Sequence, residues 1–140
     1  LRRTSKPELD LFFGEEAEQY VPANLKGPAT VLQIAGNVFF GSVHTLEQVL
    51  SDLSQLDNHK GHLVIAGEHL QHLDMAGAEV LIQEANKRKI HDCQLAFWLR
   101  DHNLDKVLQH SGLMDTVGPE NIHYTYDCPL SYVTQGRSGQ

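Results

Sequence analysis

From Pro28 onward, short apolar runs rich in β-branched residues take turns with stretches whose apolar residues recur every three or four positions. This alternation constrains the fold more than any single motif. A strand that is apolar on both faces must be covered on both, and amphipathic helices between such strands supply the cover. Residues 30–34 read as the first strand, and Val38-Phe39-Phe40 as an extended continuation beyond a Gly36-Asn37 turn. A helix follows, with a capping-box pattern at Thr45 and Gln48 and an apolar stripe of Leu46, Val49, Leu50, Leu53 and Leu56. Residues 62–66 read as a buried strand. Asp74 then caps a second helix whose inward face is Ala78, Leu81, Ile82 and Ala85, with Glu84 and Arg88 paired at i,i+4 on its solvent side.

Residues 94–99 form the next buried strand, and Asp101 or Asn103 caps a third short helix carrying Leu104, Val107 and Leu108, stopped at Gly112. Residues 122–126 suit a last short strand, and Asp127 with Pro129 opens a final helical turn. The expected fold is one α/β domain: a mixed or parallel sheet of four to five strands with amphipathic helices packed against it.

The 140 residues suffice for a single core. Residues 1–28 differ from the rest and read as a linker that packs only partly on a domain spanning 29–135, with 136–140 as a tail. Residues 9–13 within the linker suit a short strand or a docked turn. Arg2-Arg3-Thr4-Ser5 resembles a basophilic kinase site, but a basic segment following a membrane span explains it more simply. The chain opens on Leu1 rather than Met, which reads as a piece of a longer protein. No apolar run approaches the roughly 20 residues of a membrane helix, and no signal peptide is evident.

A net charge of −7 argues against nucleic acid or an anionic membrane surface as the main partner. The Lys87-Arg88-Lys89 cluster falls at a helix end, where cations complement the dipole. Cys93 and Cys128 have no metal or redox spacing and read as reduced structural thiols, with a disulfide left open.

Catalytic chemistry finds no foothold. Nine histidines invite a metal, and His59/His62 and His69/His72 are each three apart, yet neither cysteine nor a matched carboxylate completes a ligand set. There is no nucleophile elbow, Walker loop or dinucleotide fingerprint. No catalytic residue, metal or cofactor is therefore expected. The most distinctive stretch is Leu73-Asp74-Met75-Ala76-Gly77-Ala78, where an aspartate caps a helix whose first turn is built of small residues. Such a turn suits an anion or partner at the positive end of the helix dipole, or plain capping with close helix–sheet packing.

Four stretches in order resemble the STAS family, the domain shared by sulfate transporters and anti-sigma factor antagonists. Val31-Leu32-Gln33-Ile34-Ala35-Gly36-Asn37-Val38-Phe39-Phe40-Gly41 is similar to the opening hairpin in the form found in bacterial SulP-type anion transporters. Leu63-Val64-Ile65 leading to Leu73-Asp74-Met75-Ala76-Gly77 resembles the strand, D-x-x-G turn and helix. Leu95-Ala96-Phe97-Trp98-Leu99 with Val107-Leu108-Gln109-His110-Ser111-Gly112-Leu113 resembles the later strand and helix end, and Asp127-Cys128-Pro129-Leu130 sits where the last helix opens.

The resemblance implies a non-catalytic regulatory module on the cytoplasmic face of the inner membrane, attached to an anion transporter. Its implied partners are a regulatory protein and the transporter's own membrane domain, with a homodimer in the full-length protein and a nucleotide as an open option. The expected interaction face is Asp74, Met75, Ala76, Gly77 and Ala78, with Phe39, Phe40 and Gly41 beside them. Anti-sigma antagonists carry a phosphorylated serine in this turn. Met75 and Ala76 have no hydroxyl, which weighs against the alternative of a free-standing signalling protein.

Overall fold

The computed structural model describes residues 6–126. Within them run β1 (Glu8–Phe12), α1 (Gly14–Glu18), β2 (Ala29–Val38), α2 (Val43–Asp57), β3 (His62–Gly67), β4 (Leu70–Leu73), α3 (Met75–Lys89), β5 (Leu95–Leu99), α4 (Asp105–Ser111), α5 (Leu113–Val117) and β6 (Ile122–Tyr124). The strands form one mixed sheet in the order β1-β2-β3-β5-β6. β1 is antiparallel to β2, while β2, β3, β5 and β6 run parallel. β4 joins the far end of β2 in parallel, beyond the stretch paired with β3. This is the expected single α/β domain.

Side-chain alternation along the strands explains why they read as continuously apolar. Leu63 and Ile65 of β3 enter the core beneath α2 and α3, together with Leu32, Ile34 and Phe97. Val64 and Ala66 point to the opposite face, where they meet Val31, Ala96, Ala17 and Leu25. The helices fill the larger core with Leu46, Leu50 and Leu53 from α2 and Ala78, Leu81 and Ala85 from α3.

Part of the segment before Pro28 packs on the sheet. β1 pairs along the whole of its length with β2, and Ala17 and Leu25 are buried. The expected kinase-like motif at residues 2–5, the closing helix from Asp127, Cys128 and the tail at 136–140 lie outside the described residues.

Four local readings change. No turn interrupts the chain at Gly36-Asn37: β2 runs through to Val38, with a register shift at that pair where it leaves β3 for β4. The Gly36 N–H donates to the His69 carbonyl at 2.9 Å, a bond made possible by a strand too short to stand out in the sequence. Phe39 and Phe40 do not extend this strand; Phe40–Ser42 form a 3-10 turn.

The α2 cap lies upstream of Thr45, because the helix starts at Val43 behind Ser42. Ser42 instead closes the preceding turn: its Oγ accepts the Phe39 N–H at 3.1 Å and its hydroxyl donates to the Phe39 carbonyl at 3.2 Å.

Glu84 and Arg88 are not on a wet face. Both are buried, and Arg88 donates to Glu84 at 2.8 Å, to the Gly61 carbonyl at 2.8 Å and to Asp57 at 3.1 Å. The guanidinium thereby ties the ends of α2 and α3 to the start of β3.

Candidate functional site

The carboxyl ends of β2 and β4 deliver the chain to the start of α3, and there the expected site residues separate into two sets. Asp74 takes an extended backbone conformation as the N-cap, and its Oδ1 accepts the Gly77 N–H at 3.0 Å. Its Oδ2 accepts the Phe40 N–H at 2.8 Å, so one carboxylate both caps α3 and holds the 3-10 turn beside it. Gly77 and Ala78 face inward and are buried. A Cβ on Gly77 would lie 2.7 Å from Leu73 Cδ1 and 2.8 Å from Val38 Cγ1, so glycine lets the helix close on β2 and β4. These two residues are packing, not surface.

The outward set is apolar. Phe39 is 43% exposed, Phe40 78% and Met75 54%. Gly41 is exposed next to them, with open space around it. Ala76 is half-buried. Large apolar groups displayed together are informative in a way that scattered ones are not. The Phe39 ring also stacks on His72, with ring centroids 6.0 Å apart.

Phe39, Leu73, Asp74 and Met75 form one wall of a groove of about 510 Å³. Its other wall, formed by Leu104, Lys106, Val107 and His110, was not legible in the sequence. Those residues lie thirty positions further along, and only the parallel crossover through β5 brings α4 beside α3. Asn103 fastens that wall in place by donating from Nδ2 to the Gln71 carbonyl at 3.2 Å.

Two of the paired histidines have partners of their own. His62 uses both ring nitrogens on backbone groups, Nε2 at 2.7 Å from the Lys26 carbonyl and Nδ1 accepting the Gln94 N–H at 3.0 Å. His59 instead lies 3.9 Å from Glu84. Among the described residues no three His, Cys, Asp or Glu side chains are grouped to hold a metal. Cys93 is a free thiol whose Sγ accepts the Gly61 N–H at 3.0 Å. Among the described residues no helix is long and apolar enough to cross a membrane.

The fold is shared with proteins of two kinds. An anti-sigma factor antagonist from Mycobacterium paratuberculosis superposes with a TM-score of 0.61 at 16% identity, over 91% of this chain and 95% of that one. The STAS domain of a SulP transporter from Vibrio cholerae gives 0.53 at 17% identity, over 90% and 98%. A sulfate transporter family protein from Wolinella succinogenes gives 0.57 at 19% identity, over 81% and 88%. No curated protein matches the chain by sequence. The family model described as "STAS domain" matches residues 20–127, a span that includes both walls of the groove. The chain belongs to the STAS domain family.

Proposed function

We propose that this chain is the non-catalytic regulatory domain of a SulP-type secondary anion transporter, held at the cytoplasmic face of the membrane. In this reading it acts by docking protein at the start of α3. The turn itself is the strongest support. Where the anti-sigma antagonists carry a phosphorylated serine, this chain presents Met75, 54% exposed and without a hydroxyl. A switch by phosphorylation has no acceptor at that turn, and the surface beside it is apolar, with Phe39 and Phe40 adjoining the capped aspartate. A permanently apolar face suits a standing contact, such as one with the transporter's own membrane domain or a regulatory protein. Mutual contact between two such domains in the full-length protein belongs to the same reading. The sulfate transporter family protein and the SulP transporter domain that share the fold are consistent with that context.

An antibody raised against the domain tests the proposal on fractionated source cells. The expected result is a band in the membrane fraction at several times the 15.7 kDa of this chain. A band of about the domain's own size in the soluble fraction would overturn it and would fit a free-standing signalling protein.

A further inference from the structure

The far wall of the groove carries chemistry that a protein-docking face alone does not require. Lys106 and His110 stand four residues apart on α4, side by side on one face of the helix, and both are exposed. Among the described residues neither has a hydrogen-bond or ion-pair partner. Asp105 is engaged by His102 at 2.7 Å and by the Tyr124 hydroxyl at 2.7 Å, and Asp74 has committed both oxygens to backbone N–H groups. This leaves the Lys106 ammonium and the His110 ring without a side-chain partner on the rim of an apolar groove, while the Asp74 carboxylate on the opposite wall keeps its charge but has both oxygens turned to backbone N–H groups.

The volume of about 510 Å³ lies within the range of roughly 300–1,000 Å³ typical of small-molecule sites, which are mostly apolar with a few polar groups fixing orientation. Met75 adds an adaptable thioether to the floor.

We propose that this groove binds an amphiphilic carboxylate, with its apolar body along Phe39, Met75 and Val107 and its carboxylate at Lys106 and His110. The ligand shares the α3 face with the docking surface, so its occupancy regulates access to that surface. Binding itself does not depend on the transporter context, because the residues invoked for it all lie within this chain.

The test is titration of the isotope-labelled chain with sodium dodecanoate below its micelle concentration, followed by amide chemical shifts. Dodecyltrimethylammonium, with the same tail and the opposite charge, is titrated in parallel. The expected result is saturable shifts centred on Phe39, Met75, Lys106, Val107 and His110 with dodecanoate, at an affinity about fivefold or more above that of the cation. Lys106→Glu, at an exposed position, should weaken dodecanoate by a similar factor while the spectrum elsewhere stays unchanged. A second variant, Met75→Gln, which removes apolar contact without adding charge, should weaken both detergents. Shifts that never saturate, shifts centred elsewhere, or equal affinity for the two head groups would each overturn the proposal. The fractionation result has no bearing on this outcome, so failure of one proposal leaves the other standing.

Discussion

Asp74 spends each carboxylate oxygen on a different backbone segment, Gly77 at the head of α3 and Phe40 in the neighbouring 3-10 turn. Replacing it with alanine removes an N-cap and frees that turn, and should cost about 1–2 kcal/mol in urea unfolding. Asp74→Asn retains one acceptor oxygen and should fall between alanine and wild type.

His123 offers a different residue-scale test. Its ring stacks on Trp98, and its Nε2 is buried with no hydrogen-bond partner among the described residues. Burial holds its pKa below the ordinary 6.5. As pH falls through the unfolded value, the unfolded chain takes up a proton that the folded chain still refuses. Stability contributed by the neutral ring is therefore present above pH 6.5 and lost as pH drops below it, levelling off beneath the folded pKa. His123→Phe should keep the stack and remove this component. Between about pH 7 and 5.5, its stability in urea should fall less steeply than that of wild type; an identical slope would contradict the assignment.

At the scale of elements, the helices and strands announce themselves in the sequence, while the places where they are fastened together do not. Of the periodic stripe Leu46, Val49, Leu50, Leu53 and Leu56, the structure buries Leu46, Leu50 and Leu53, half-buries Val49 and leaves Leu56 exposed past the end of the core; Asp74 caps as its type and position suggest; Gly112 ends α4 in the left-handed conformation. β4 has no signature in the sequence, because four residues with two exposed polar side chains carry no periodic signal. The burial of Arg88 has none for a more instructive reason. A charged i,i+4 pair ordinarily faces water, and only the tertiary placement of Asp57 and the Gly61 carbonyl gives the guanidinium enough partners to leave it.

Arg88→Met should cost about 3–5 kcal/mol, because Glu84 stays buried without its cation. Adding Glu84→Leu should restore much of that loss. Urea unfolding of the two variants decides the matter: a single variant no worse than a surface substitution would show that the network carries little.

For the whole molecule, the parallel sheet separates two ends. Strands β2, β3 and β5 begin near the Arg88 network that ties α2 to α3. At the other end β2 and β4 terminate, and the exposed phenylalanines, the Asp74 turn and the groove against α4 are gathered. Of the residues the sequence singles out, Phe39, Phe40, Gly41 and Met75 are exposed together at this end, while Gly77 and Ala78 are the packing beneath them. The opposing wall of Lys106, Val107 and His110 depended on the crossover through β5, which no local pattern encodes.

In the proposed function, the start of α3 is where this domain meets protein. A photo-crosslinking residue at position 40, whose side chain is 78% exposed, tests this in source cells expressing the protein, with position 16 on α1 as the control. The expected result is a discrete adduct from position 40, suppressed by Met75→Glu, and none from position 16. An adduct from position 16 alone would place the contact on the opposite side of the domain and contradict it.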